Sequence, residues 1–518
     1  MKFSYMLLGG AAAVAISLSA VAVAHQQAPE EQAETTQDDM GETTTETQDA
    51  APVEPDTEET ETAPAQEDSD ETGASAAEEN QSAEAEEDEA DGGPFPSTYA
   101  ALPSETVFIE NATVLDGRGG LIEDGDVLLE DGRIAAVGAD LNAPGGAQVI
   151  DGEGRWVTPG IIDVHSHLGV YPTPSIRATS DGNEATSPNT AEVWAEHSVW
   201  PQDPGFSRAL AGGVTSLQIL PGSANLFGGR SVVLKNVPSR TVQGMKFPDA
   251  PYGMKMACGE NPKRVYGSRN QAPSTNMGNF AGYRAAWIDA KKYMEDQQKA
   301  EDDADTDPPK RDLELETLAG ALRGDILVHM HCYRADQMAQ VIDMSKEFGY
   351  QLASFQHAVE SYKVADLLAD EDICSAMWAD WWGFKLEAYD GVRENIPMVH
   401  KAGACAIVHS DDDIGIQHLN QEAAKAWSDG RKAGIEIPKE EAWLWLSYNP
   451  ARSLGIEDET GSLEEGKAAD VVLWSADPFS TYAKADKVYI DGALMYDRQD
   501  NRMPVSDFEI GQASRGMK

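Results

Sequence analysis

"GIIDVHSHLG" (Gly160–Gly169) closes an apolar run with two histidines one residue apart. The chain has only 10 histidines in 518 residues, yet "ILVHMHCYRAD" (Ile326–Asp336) repeats the spacing at His329 and His331. Random placement would give about 0.2 such pairs in a chain of this kind, so two of them point to a site. Residues i and i+2 of a strand share a face, so His165 and His167 can grip one ion.

The surrounding texture is strand followed by helix. Apolar runs such as "GVTSLQIL", "DILVHMH", "QLASFQH" and "ACAIVHSDD" alternate with helical stretches such as "RADQMAQVIDMSKEFG" and "QEAAKAWSDGRKAG" over nearly 300 residues. That alternation predicts a parallel α/β barrel. A doubly wound sheet is the alternative, but no Gly-rich nucleotide fingerprint follows the first strand. In a barrel the C-terminal strand ends form the mouth of the active site. His165, His167, His329, His357 and Asp411 each stand where an apolar run gives out. One such histidine would read as a hydrogen-bonded core residue; five candidates at the same relative place read as ligands. "GSLEEGKA" (Gly461–Ala468) imitates a phosphate loop, but Ala468 replaces the hydroxyl residue and a strand, not a helix, follows; it reads as a turn.

At both ends of this region the pattern changes to short alternating strands with Asp-Gly and Gly-rich turns, as in "GDVLLEDGRIAAVG" and "VYIDGALMYD". Before it lie two segments of another character. Residues 1–24 read as a cleaved export signal: Lys2, an apolar middle and the small-residue site Ala22-Val23-Ala24. Residues 25–103 read as an acidic linker, with no Lys or Arg up to about residue 92, unable to bury enough apolar surface to offset ordering entropy. The expected location is periplasmic or secreted, without stable membrane insertion. A formal net charge of −50 makes nucleic acid and anionic membrane poor partners. The four cysteines, Cys258, Cys332, Cys374 and Cys405, show no close pairing pattern and read as buried free thiols.

Through "TPGIIDVHSH", the strand-end His329 and His357, "HSDDD", "NPARSLGI" and "GSLEEGKAADVVLW", the chain from about residue 104 onward resembles the amidohydrolase superfamily. It is most similar to the exported imidazolonepropionase-related group, which shares the "MKMACGENPKRVYG" type of stretch. The resemblance implies a distorted (β/α)8 barrel over 158–452 and a small β-sandwich from 104–157 and 453–518. It implies one or two divalent transition-metal ions, expected as Zn2+, held by His165, His167, His329, His357 and Asp411. Asp411 is also the implied general base. Lys255 is the favoured bridge between two metals, with Glu260 the alternative. His331, Tyr333 and Arg334 are candidate substrate contacts; Arg334 would otherwise pair with a nearby acid at a helix start, and Tyr333 would otherwise pack. Asp412 and Asp413 support the histidines or begin a solvated loop, and the Trp-rich "AMWADWWGFKLEAYD" walls a pocket or packs the rim.

The implied function is hydrolysis of an amide C–N bond in a small substrate such as a dipeptide, N-acyl amino acid or cyclic amide. The alternatives are a metal-dependent deaminase and a non-catalytic metal-binding scaffold. Substrate, metal identity and self-association are left open by the sequence.

Overall fold

The computed structural model describes residues 95–173 and 175–500. The export signal and most of the acidic linker lie outside the described residues. Two eight-stranded sheets organise the described residues.

The first sheet joins the two ends of the described region. It contains β1 (Val107–Leu115), β2 (Leu121–Glu130), β3 (Arg133–Ala139), β4 (Gln148–Asp151) and β5 (Trp156–Pro159). It is completed by the C-terminal strands, numbered β14 (Val471–Trp474), β15 (Ala485–Ile490) and β16 (Ala493–Asp497). The predicted hairpins form, β1 with β2, β2 with β3, and β15 with β16. β4 and β5 lie end to end along one edge of β1, and β14 pairs with β5 to link the two chain ends. Alternate side chains, including Val107, Ile109, Val127, Leu129, Val471 and Leu473, form this sheet's own buried core.

The second sheet carries β6 (Ile161–Ser166), β7 (Val214–Ile219), β8 (Phe227–Lys235), β9 (Tyr252–Ala257), β10 (Ile326–Cys332), β11 (Leu352–His357), β12 (Cys374–Met377) and β13 (Cys405–Val408), in that spatial order. Seven strands run as the sequence predicts, but β8 is antiparallel to both neighbours. A direct turn, not a helix, joins it to β7, so the repeat departs from ideal (β/α)8 there. β6 and β13 close the remaining seam through other contacts: the Asp411 N–H donates to the His165 carbonyl at 3.0 Å, and the Ser410 N–H to Asp163 Oδ1 at 3.2 Å. Helices such as Leu313–Arg323 and Ala335–Phe348 cover the outside, burying Leu318 and Ala321, and Met338, Val341 and Ile342. "GSLEEGKA" is a turn leading into β14.

Inside the barrel, Gly253 makes room for the site. A Cβ there would lie 2.2 Å from Ser231 Oγ and 2.7 Å from His329 Cδ2. No helix among the described residues is long and apolar enough to cross a membrane.

The cysteines are not free. Cys258 bonds Cys332 and Cys374 bonds Cys405, across sequence separations of 74 and 31. Strand register explains this: Cys374 and Cys405 are direct partners on β12 and β13, and Cys258 follows β9 beside the last residue of β10. Their Cα atoms are 4.4 and 5.3 Å apart, within bonding reach. The double variant Cys374→Ala/Cys405→Ala should lose about 2–4 kcal/mol, because closing a loop of this length restricts the unfolded chain. Denaturant midpoints read at matched slopes check it; equal midpoints would refute the contribution.

Candidate metal centre

His165 is the penultimate residue of β6 and its ring is fully buried; His167 follows the strand and keeps a partly open edge. The His167 Nδ1 lies 2.8 Å from the Leu220 carbonyl, which can only accept. Nδ1 therefore carries a proton, and in the neutral ring Nε2 presents a lone pair. For His165, Nδ1 faces Gln356 Oε1 at 2.9 Å and Nε2 is 3.2 Å from Lys255 Nζ, a donor. Its Nε2 is likewise a lone pair. Both Nε2 atoms face Asp411 Oδ1, at 3.3 and 3.2 Å. Across the carboxylate, His357 Nδ1 lies 3.7 Å from Asp411 Oδ2 and has no hydrogen-bond partner.

Acceptors thus converge where hydrogen bonding would require donors. Ligand atoms of His165, His357 and Asp411 fall within 4.8 Å of one another. Burial without partners of this kind is costly unless a cation sits among the groups, so the residues fit a divalent metal. Burial, with Lys255 beside it, takes His165 down to about 4, and burial takes His329 to about 3, which keeps both rings neutral. Burial alone would raise Asp411, but in acid, where His165 and His357 take up protons, their charges outweigh it and hold the carboxyl well below the usual range.

Two of these side chains are aimed by unusual backbone. His357 and Asp411 have φ of 70° and 56°, in the left-handed region where non-glycine residues are uncommon. Each is held there by its own N–H, that of His357 bonded to His409 Nε2 at 3.3 Å and that of Asp411 to the His165 carbonyl.

Lys255 projects from β9, is buried, and burial lowers it to about 7. His329 stands opposite it in register on β10, with Nδ1 2.9 Å from Ser354 Oγ. Glu260 begins the helix Glu260–Gly267 and lies 3.8 Å from Lys385. Of the two bridge candidates, Lys255 is therefore the one touching a histidine of the cluster. His331 packs edge-on against His357, with ring centres 4.5 Å apart, and its Nε2 is 3.5 Å from Asn261 Nδ2. Tyr333 packs, stacking on His357 at 5.2 Å. Arg334 pairs with Asp336 at 2.9 Å at the start of Ala335–Phe348, so the ion pair is the role the fold gives it. Asp412 accepts from Ile414 and Gly415 N–H groups, and Asp413 from Thr173, so both organise the loop.

Sequence reading missed the groups that orient these rings. Gln356 and Ser354 form a chain from His165 to His329. Asp163, buried and pushed up to about 7 by desolvation, accepts from the His165 and Ser410 N–H groups. His409 lies 5.2 Å from His165 in a stacked pair. The signal was the i, i+2 spacing itself: Asp163 precedes His165, and His409 precedes Asp411, by two residues.

Comparison with known proteins places the chain in a family. The model described as "Amidohydrolase family" matches residues 156–495. The amidohydrolase tasK of Hapsidospora irregularis is 35% identical over 398 residues, covering 72% of this chain but 40% of its own length. An imidazolonepropionase of Mesorhizobium japonicum is 26% identical over 391 residues, 70% of this chain and 90% of its own. A crystal structure of an amidohydrolase from Thermotoga maritima is 37% identical, with a TM-score of 0.70 over 76% of this chain and 100% of that one.

Proposed function

The chain belongs to the amidohydrolase family and is a hydrolase of C–N bonds on a TIM-barrel domain, and from that premise we propose that it cleaves the amide bond of a small substrate with a divalent transition metal, Zn2+ by preference. A dipeptide, an N-acyl amino acid or a cyclic amide is the substrate class. The observation that carries this reading is the pair of histidine lone pairs facing one carboxylate oxygen. His165, His167, His329, His357 and Asp411 would hold the ion, with Lys255 bridging a second. When bound, the ion acidifies a water and polarises the substrate carbonyl.

The protein's own groups do the rest. Asp411, ionised and partly open to solvent, takes the proton of the attacking water and returns it to the leaving nitrogen. The Leu220 carbonyl and Gln356 fix the tautomers that aim His167 and His165. His331, beside His357, faces the substrate. The sheet built from both ends of the described region would supply the small β-sandwich, its two chain ends meeting where β14 pairs with β5. An oxidising, extracytoplasmic location is supported by the Lys2–Ala24 pattern and the two disulfides.

A library of dipeptides, N-acyl amino acids and cyclic amides, assayed for new amine and carboxylate with metal-loaded protein, tests the reading. Release of ammonia from aminated rings alone would make the protein a deaminase instead. Lys255→Ala should lower bound metal from two ions towards one, with partial rescue by short carboxylic acids. Metal analysis by mass spectrometry checks this, and an unchanged count would remove Lys255 from the site.

A further inference from the structure

Five large apolar side chains, Trp381, Trp382, Phe384, Leu386 and Tyr389, are exposed in the loop that follows β12. Elsewhere among the described residues such side chains are scattered along the chain. A concentrated apolar patch is a binding surface far more often than an accident. This one is continuous with the metal centre. Trp378 stacks on His357 with ring centres 4.5 Å apart and an interplanar angle of 24°, and its Nε1–H donates to the Ser410 carbonyl at 3.1 Å. Trp381 stacks in turn on Trp378 at 5.5 Å, and Phe384 meets Trp378 edge-on at 5.8 Å. An aromatic path therefore runs from a candidate ligand out to solvent.

Beside that path a cleft walled by His357, Val359, Trp378, Trp381, Trp382 and Asn395 has room for only about one water, so a ligand group would lie against the exposed rings rather than inside it. The one carboxylate at its wall, Asp380, is occupied by Lys425 at 2.8 Å. The loop is also tied down at both ends. Glu387 packs so closely on Gly259 that a Cβ there would lie 2.4 Å from its carboxylate, and Lys385 donates to Asn261 Oδ1 at 3.3 Å. At the far end Tyr362 and Lys363 bond Asp390, at 3.0 and 2.8 Å. A fixed aromatic shelf that shares a wall with the reacting centre suits a ligand group more than a mobile partner surface.

We infer that this shelf is a specificity subsite that receives a large apolar group, aromatic or branched aliphatic, attached to one side of the scissile C–N bond. The inference rests on the hydrolase reading for the word "scissile", but the subsite can be tested without catalysis. In chelator, where nothing is hydrolysed, intrinsic tryptophan fluorescence is titrated with N-acetyl-L-phenylalaninamide and with N-acetylglycinamide. The full chain should bind the phenylalanine amide about tenfold more tightly, a typical worth of one aromatic ring stacked on another with the apolar area it covers. Trp381→Ala and, separately, Phe384→Ala should erase most of that ratio while leaving the thermal midpoint in place, since both side chains are half exposed. Equal binding of the two amides, or a ratio untouched by both variants, overturns the subsite. In the metal-loaded protein, kcat/KM across dipeptides should rise from Gly through Leu to Phe. Hydrolysis with a flat series removes the subsite and keeps the hydrolase. A binding ratio that holds while no amide in the library is cleaved removes the hydrolase and keeps the subsite.

Discussion

Asp411→Asn should lower turnover by about 10² or more while the protein stays folded. The backbone at this position has φ of 56°, a conformation that asparagine accepts as readily as aspartate, so the turn after β13 has no reason to move. Loss of the charge and of the proton acceptor changes the chemistry. An amide in place of Oδ1 could donate to the His165 or His167 lone pair, which relieves the acceptor crowding that favours a cation there. A general base of this kind is typically worth 10²–10⁴ in rate, and an amide cannot take the proton. kcat should therefore be measured alongside metal content. Lost turnover with metal retained assigns the proton transfer to Asp411; lost metal assigns it chiefly a ligand role. Near-normal turnover would move the base elsewhere.

Much of this site was legible because its signals are local. A polar residue at the end of an apolar strand announces itself within ten residues, and barrel geometry gathers such ends at one mouth. His165, His167, His357 and Asp411 could each be proposed in this way, whereas Lys255 came only from the family resemblance, with Glu260 beside it as an alternative. What the sequence withheld depends on register between segments far apart. The two disulfides join cysteines that only strand pairing brings together. The reversal of β8 follows from a short turn that reads like any other loop. The supports of the ligands include a backbone carbonyl, that of Leu220, which no residue type can announce. For Arg334 the sequence offered both a substrate carboxylate and a nearby acid at a helix start, and the ion pair with Asp336 is the contact that forms in the free chain.

Removal of metal should abolish hydrolysis, and its return should restore it. Without a cation, the Nε2 lone pairs of His165 and His167 and the Asp411 carboxylate face one another, and the only donor among them is Lys255. His357 Nδ1 faces the same carboxylate with no donor of its own. Such an arrangement is held by the fold against its own electrostatics, so a bound divalent ion should stabilise the folded chain. At a hundredfold excess over its dissociation constant an ion binding only the folded state adds about 2.7 kcal/mol, enough to raise the thermal midpoint measurably. The expected result is therefore double: chelated protein is inactive and melts earlier, and added Zn2+, Mn2+ or Co2+ reverses both in proportion to the metal retained after gel filtration. A midpoint that rises without activity would separate metal binding from catalysis and favour the non-catalytic scaffold. A chelated preparation that carries no metal and hydrolyses its substrate at full rate would remove the metal from the reaction, and with it the role given to the histidines.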